Sequence, residues 1–418
     1  MATFPTSTPP LWRLPGMMPL AVLTVLGFTG YAVLLPVAPL WVVSGGAGTG
    51  GAGLVNGVML AATVATQGFI PTLLRRLGWA KVLVAGMVLL GAPGAATGIS
   101  AALPWVLACA AVRGVGFGVL TVCGSLAVVE LVEPWRRGAG IGAYGLAVAV
   151  PNIAGVSFAP WLAQSGGYAA VFAVSAAPVL AAPVALRLAA RVTERERAAA
   201  PTHPVGAGPV DDAGLAGSLR ALAAPTLILL SVTLAGGGVL TFMPQMIAHS
   251  ALVTSALLVF TIVTALARWA IGTHADRLGA HRFSAPLLVA AVVGLALLAW
   301  AVASAARSAP GLSASGSPSG LTVAALLVGA CVTGIAYGAL QNVTLILAFE
   351  AVPRRRNGTA SAVWNAGFDA GTATGSVLVG VLAARTGFPA AIGLLALLCA
   401  LALPLALARR HDRTGPDR

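Results

Sequence analysis

Charge is what this sequence lacks. Asp, Glu, Lys and Arg make up 8% of its 418 residues, against about 25% in soluble domains. Lysine is almost missing, with Lys81 alone among arginines. Cysteine is sparse: Cys109, Cys123, Cys331 and Cys399 lie in apolar stretches at no metal-ligand spacing. They read as small packing residues and carry no redox information. The five histidines fall in loops, so no metal or cofactor site is expected. No Walker-type phosphate loop occurs, which disfavours direct ATP coupling.

What is present is apolar. Hydrophobic residues make up 58% of the chain, and a membrane-spanning helix needs about 20 mostly apolar residues. Twelve stretches meet that need: Met17–Val43, Leu54–Leu74, Val82–Ala102, Trp105–Leu131, Gly138–Leu162, Tyr168–Leu186, Leu222–Met246, Leu252–Ile271, Phe283–Ala303, Leu321–Phe349, Gly358–Leu382 and Ala390–Leu407. Internal Gly and Pro are tolerated in such helices. The fold class is therefore an all-α polytopic membrane protein with twelve transmembrane helices. The first stretch is too long, and too poorly followed by a cleavage site, for a signal peptide.

The net charge of +13 is not a nucleic-acid footprint, because it is distributed by side. With both termini cytoplasmic, most cations fall in cytoplasmic segments: Arg75, Arg76 and Lys81, Arg136 and Arg137, Arg187 to Arg220, Arg277 and Arg282, Arg354 to Arg356, and Arg409 to Arg418. Only Arg307 and Arg385 fall outside. This is the bias that orients proteins of the inner or plasma membrane. The expected organisation is a cytoplasmic tail at 1–16, a six-helix bundle at 17–186, a polar linker at 187–220, a second six-helix bundle at 221–408, and a tail at 409–418. A Ser/Gly/Pro-rich loop, Ser304 to Gly320, is expected on the outer side.

The two halves repeat. A shift of 220 residues lays Gly114, Gly118, Glu130, Arg136 and Gly138 on Gly334, Gly338, Glu350, Arg356 and Gly358, and continues ungapped to Gly155/Gly375 and Gly167/Gly387. The repeated Glu-x5-Arg-x-Gly is hard to obtain by chance. Arg76, Leu77 and Gly78 match Arg277, Leu278 and Gly279 at a shift of 201.

Between the second span of the C-terminal half and the next lies Gly272-Thr-His-Ala-Asp276-Arg277-Leu-Gly279, followed by Arg282. An Asp-Arg pair in a tight, Gly-bounded loop resembles the signature loop of the major facilitator superfamily. That resemblance, together with two parallel six-span halves, implies the transporter fold of two pseudo-symmetric bundles, with a central site near the bilayer midplane. It covers residues from about 17 to 408. In the family such loop charges latch the cytoplasmic ends and release as the carrier opens. The implied cytoplasmic gate is Arg268, Gly272, Asp276, Arg277, Gly279, Glu350 and Arg356, with Arg76, Gly78, Glu130 and Arg136 as the N-terminal copy. Arg277 would pair with Glu350, and Arg76 with Glu130. The N-terminal copy departs from the pattern: Arg75 replaces the Asp and Pro71 the first Gly.

Two charges lie deep. Arg113, in span 4, sits near mid-depth, where a charge costs at least about 2.5–3.5 kcal/mol and usually faces a wet cavity. It resembles the span 4 Arg shared by proton-coupled members, with Gly116 where they carry Gln. Asp369, in span 11, is the only acid deep in any span and can carry a proton near neutral pH. Each could instead be structural, Arg113 held by carbonyls and Asp369 by a fixed donor. Span 5 carries Gly155-x3-Ala159-Pro160-x2-Ala163, a degenerate likeness of the family's antiporter motif. Candidate cavity residues on the family's central spans and their flanks are Phe28, Tyr31, Phe117, Thr121, Tyr144, Asn152, Phe242, Gln245, Tyr337, Gln341, Asn342, Trp364 and Asn365. Aromatic walls with a few amides suit an amphipathic ligand.

The resemblance implies a secondary transporter rather than an enzyme. It is expected to be a monomeric, proton-coupled exporter of a small amphipathic drug or metabolite. The alternative is a proton-coupled importer of a sugar or other metabolite on the same fold. An intramembrane enzyme is disfavoured because Asp369 has no clustered acid or histidine partners.

Overall fold

The computed structural model describes residues 10–133, 137–199, 212–307, 319–353 and 356–411. Among them there is no strand, and twelve helices are long and apolar enough to cross a membrane. Spans 1 to 6 are Met17–Ser44, Thr49–Gln67, Ile70–Ile99, Leu103–Leu131, Ala143–Ser165 and Tyr168–Ala198. Spans 7 to 12 are Ala216–Met246, Ser250–Ile271, His281–Arg307, Gly320–Glu350, Thr359–Thr386 and Phe388–Leu407. The chain is a multi-pass integral membrane protein. Its outer surface is apolar, with Trp269 75% and Leu180 71% exposed, as lipid-facing side chains should be.

Several boundaries differ from the sequence reading. The helix of span 8 continues to Leu278, so the expected loop around Asp276 is helical as far as Gly279, whose φ of 85° ends it. In the first half the turn is at Gly78, with φ 78°, and helix fills the stretch from Ile70 onward that had been divided between a loop and its neighbours. Gly alone enters that backbone region without cost. The opposite side shows the same pairing: Gly167 has φ 80° and Gly387 has φ 81°. The segment expected as a linker is helical at both ends, through Ala199 and again from Asp212.

The repeated glycines place helices against one another. A Cβ at Gly114 would strike the Met59 carbonyl oxygen, and one at Gly334 would stand 2.7 Å from that of Phe260. A Cβ at Gly118 would lie 3.0 Å from the Thr63 oxygen, and one at Gly338 would strike that of Thr264. Span 4 thus presses on span 2 as span 10 presses on span 8, the close approach that small residues permit in membranes.

The bundles meet along a seam. Span 2 packs along span 11, span 5 along span 8, and Leu34–Ser44, the second half of span 1, against span 7. Asn56 Nδ2 crosses the seam to Thr241 Oγ1 at 3.0 Å while also donating to the Leu35 carbonyl at 2.8 Å. Ser376 Oγ donates to the Gly53 carbonyl at 3.3 Å, and Ser157 and Thr261 share a hydrogen bond of 3.2 Å. These contacts lie on the side away from the arginine-rich turns.

Candidate functional site

Span 2 delivers Gln67, its last residue, to the seam. Gln67 Nε2 donates to Asp369 Oδ2 at 2.7 Å and lies 3.4 Å from Thr121 Oγ1 of span 4. Asp369 is 7% exposed, so its carboxylate meets the opposite bundle through this amide. Tyr31 of span 1 and Tyr337 of span 10 both lie within electrostatic reach of Asp369.

Two aromatic groups flank this centre. Tyr31 and Phe117 stack with centroids 4.1 Å apart, and Phe28 meets Phe117 edge-on at 5.4 Å. Across the seam Tyr337 packs with Phe260 at 5.4 Å and Phe368 at 6.4 Å, and Trp364 stacks on Phe368 at 5.7 Å. The 220-residue shift takes Phe117 onto Tyr337 and Tyr144 onto Trp364. Arg113 is 2% exposed; Nη2 donates to the Gly30 carbonyl at 3.3 Å and its buried Nε has no partner. Tyr31 lies within electrostatic reach of both Arg113 and Asp369.

Other expected site residues are placed differently. Arg268, grouped with the gate from sequence, lies about 15 Å from the end of its helix at Leu278, at ~1.5 Å per residue. It donates to Gln341 Oε1 at 3.1 Å and accepts, through its carbonyl, from Asn342 at 2.8 Å. It therefore belongs with the polar groups of spans 8 and 10, because the helix does not stop before the Asp276 segment. Phe242 packs against Phe388 at 5.5 Å near the end of span 7 remote from the arginine-rich turns, with Gln245 beside it. That places Phe242, and Gln245 three residues further along, near the outer end of span 7 and away from Asp369. Asn152 and Asn365 donate to the Val148 and Ser361 carbonyls of their own helices at 2.8 Å each. Tyr144 fills the space over Gly124 of span 4.

The expected Arg76–Glu130 pair is not formed: both side chains are exposed and no hydrogen bond or ion pair joins them, whereas Arg191 and Glu194 pair at 3.0 Å. Arg136 lies outside the described residues, as do the side chains of Asp276 and Arg277 and the surroundings of Gly272 and Gly358. Glu350 and Arg356 each have an interaction partner.

Sequence reasoning missed Gln67, Asn56 and Trp79. Gln67 had a signal, since the 201-residue shift takes it onto Arg268. Both mates reach the matched position of the next inner helix, Thr121 and Gln341. Asn56 shows only as a polar residue inside an apolar run. Trp79 Nε1 donates to Glu196 Oε1 at 2.8 Å, tying the end of span 6 to the start of span 3.

The description of the Major Facilitator Superfamily matches residues 20–316 and 305–418. The chain belongs to the major facilitator superfamily. No curated protein sequence matches it. Its fold is similar to a bacterial homologue of the human lysosomal transporter Spinster, solved inward-facing and unoccupied, at 17% identity and a TM-score of 0.71, over 98% of this chain and 100% of that one. The nucleoside transporter NupG is similar at 13% identity and a TM-score of 0.66, over 94% of this chain and 99% of that one. At such identities the likeness speaks for the fold. Proteins of this family are generally carriers of small molecules rather than enzymes.

Proposed function

We propose that this superfamily member is a proton-coupled secondary transporter that exports a small amphipathic compound by alternating access, with both termini in the cytoplasm of a cell whose inner or plasma membrane it spans. The observation that carries the reading is the buried carboxylate of Asp369, held across the seam by Gln67. An ionisable group at this depth, placed where two bundles meet, can bind a proton in one arrangement and release it in the other. Aromatic groups on both sides of the seam, Tyr31 with Phe117 and Tyr337 with Phe368 and Trp364, offer adaptable apolar contact area. The inter-bundle hydrogen bonds remote from the arginine-rich turns support an inward-facing arrangement. The inward-facing Spinster homologue agrees with that reading.

One proton moving down 100 mV supplies about 2.3 kcal/mol, a concentration ratio of roughly 50 at RT of ~0.59 kcal/mol. The degenerate Gly155-x3-Ala159-Pro160 motif leans toward export. Uptake of a metabolite on the same fold is the second reading, in keeping with the nucleoside transporter among its structural neighbours. The test is accumulation of a panel of amphipathic dyes and antibiotics in cells with and without the protein. Export predicts lower accumulation, restored by an uncoupler. Higher accumulation of a panel compound would favour import.

A further inference from the structure

The hydrogen-bond ladder of span 2 is interrupted beside the proton site, and that of its mate in the other half is not. The ladder stops at Gln67 and resumes at Ile70, while Gly68 and Phe69 keep right-handed helical dihedrals. Pro71 has no amide hydrogen to offer the Gln67 carbonyl, and its ring crowds that position. The 201-residue shift takes Pro71 onto Gly272, and there the helix runs unbroken from Ser250 to Leu278. Gln67 thus stands where one rung of the backbone ladder is missing, so the helix is held less firmly there than in its mate. Its side chain is the hydrogen-bond donor to Asp369 across the seam.

From this arrangement we infer that Gln67 senses the protonation state of Asp369 and converts it into opening or closing of the seam between spans 2 and 11. The inference rests on the proton-coupled reading above. With Asp369 ionised, the amide makes a charge-assisted hydrogen bond that helps hold span 2 on span 11. A proton added to a carboxylate oxygen removes the charge and leaves a neutral bond about half as strong. Other contacts along this seam, Ser376 on Gly53, Gly57 against Val377 and the close approach of Gly380 to Thr49, carry no titratable group. Proton binding therefore loosens the seam at Gln67.

The groups facing Asp369 have other partners or no charge to give. Tyr31 stacks on Phe117, and beyond it lies Arg113, bonded to Gly30. Tyr337 approaches from span 10, with Arg268 beyond it bonded to Gln341. Span 7 brings Thr233, which bonds within its own helix. On span 12, Cys399 donates to the Ser231 carbonyl.

The test needs no substrate. The purified full chain, in lipid nanodiscs, carries spin labels on cysteines replacing Phe69, 67% exposed, and Ala362, also exposed, in a Cys331→Ala background. The distance between labels is followed from acid to alkaline pH. The wild type should lengthen on acidification with a single midpoint. Gln67→Leu removes the bond that favours the ionised carboxylate, so its midpoint should rise by about one pH unit, a tenfold change in proton affinity. Gln67→Glu keeps the volume and places a second carboxyl beside the first, so its midpoint should rise further. A packing role for Gln67 would leave the midpoint of the Leu variant, which keeps much of the volume and loses only the hydrogen bond, where the wild type has it.

If Asp369→Asn abolishes the response while both Gln67 variants keep the wild-type midpoint, the inference fails and the proton site stands. If Asp369→Asn responds like the wild type, the proton site itself is elsewhere and both fail. A wild-type distance that ignores pH overturns the role of Gln67 outright.

Discussion

The two halves share a skeleton and differ in their charges. Glycines that let span 4 press on span 2 recur where span 10 presses on span 8, and the turn glycines Gly78 and Gly279 adopt the same left-handed backbone. At the shifted positions the polar residues diverge. Arg113 corresponds to Thr333, Ala149 to Asp369, Gln67 to Arg268, Pro71 to Gly272 and Arg75 to Asp276. Helix packing needs only the shared residues, so a repeat can hold both bundles while each evolves its own chemistry. The comparison teaches that the chemically distinctive positions are those where the repeat is broken. Asp369 meets Gln67 across one seam, whereas Arg268, the mate of Gln67, has an alanine at the position corresponding to Asp369.

Replacing a shared residue should give the largest effect. Gly338→Val puts side-chain atoms onto the Thr264 carbonyl, and overpacking of this kind costs about 1–3 kcal/mol. A markedly lower melting temperature in detergent is expected. Gly118→Val, whose Cβ would lie 3.0 Å from the Thr63 oxygen, should lose less. Equal melting of variant and wild type would show that the glycines do not set the helix spacing.

Arg113→Leu separates chemistry from packing. Its Nε is unpartnered and its one carbonyl bond is long. Replacing such a buried charge by an apolar side chain is often neutral for stability. Melting should hold while gradient-driven transport falls about tenfold, the size of a coupling energy of about 1.4 kcal/mol. Loss of both together would make Arg113 structural.

The signature segment gives a smaller contrast. Asp276→Asn should slow transport about fivefold at equal membrane abundance, the loss of about 1 kcal/mol expected if its carboxylate accepts from the start of an opposing helix. Arg75→Asn, at the matched position, should change transport by less than about twofold, since Arg75 is exposed and bonds only Thr72. Similar losses in both would argue that the halves gate alike.

The smallest effect expected sharpens the comparison directly. Ala149→Asp builds on span 5 the counterpart of Asp369, with Arg268 as its partner across the other seam. A pair of this kind stabilises by up to about 1 kcal/mol. Turnover should slow about threefold while melting rises slightly. Faster turnover would place Arg268 away from span 5.

Much of the fold was legible in the sequence, since the apolar runs and the repeat of Glu130 and Glu350 are properties of composition and spacing. Helix ends were less legible. The segment before Gly279 is polar and opens on Gly272 yet stays helical, because the turn needs one residue of positive φ and Gly279 supplies it. At the site, Asp369, Arg113, Tyr31, Phe117 and Tyr337 were readable as charges and aromatics on inner spans. Gln67 was not, because a glutamine near the end of an apolar run looks like ordinary interfacial polarity until span 11 is laid beside it. Phe242 and Gln245 show the converse: their span is central, but their height along it sets them near its outer end, away from Asp369.

The central claim is that Asp369 carries the proton that drives transport. Its most direct test is reconstituted vesicles with an imposed pH gradient, using a dye or antibiotic that the wild type moves. Asp369→Asn fixes the neutral form, so it should abolish accumulation against a gradient while exchange without a gradient persists, with melting as the folding control. Continued concentration of the compound by Asp369→Asn would contradict the account and shift coupling to Glu130, Glu133 or Glu350.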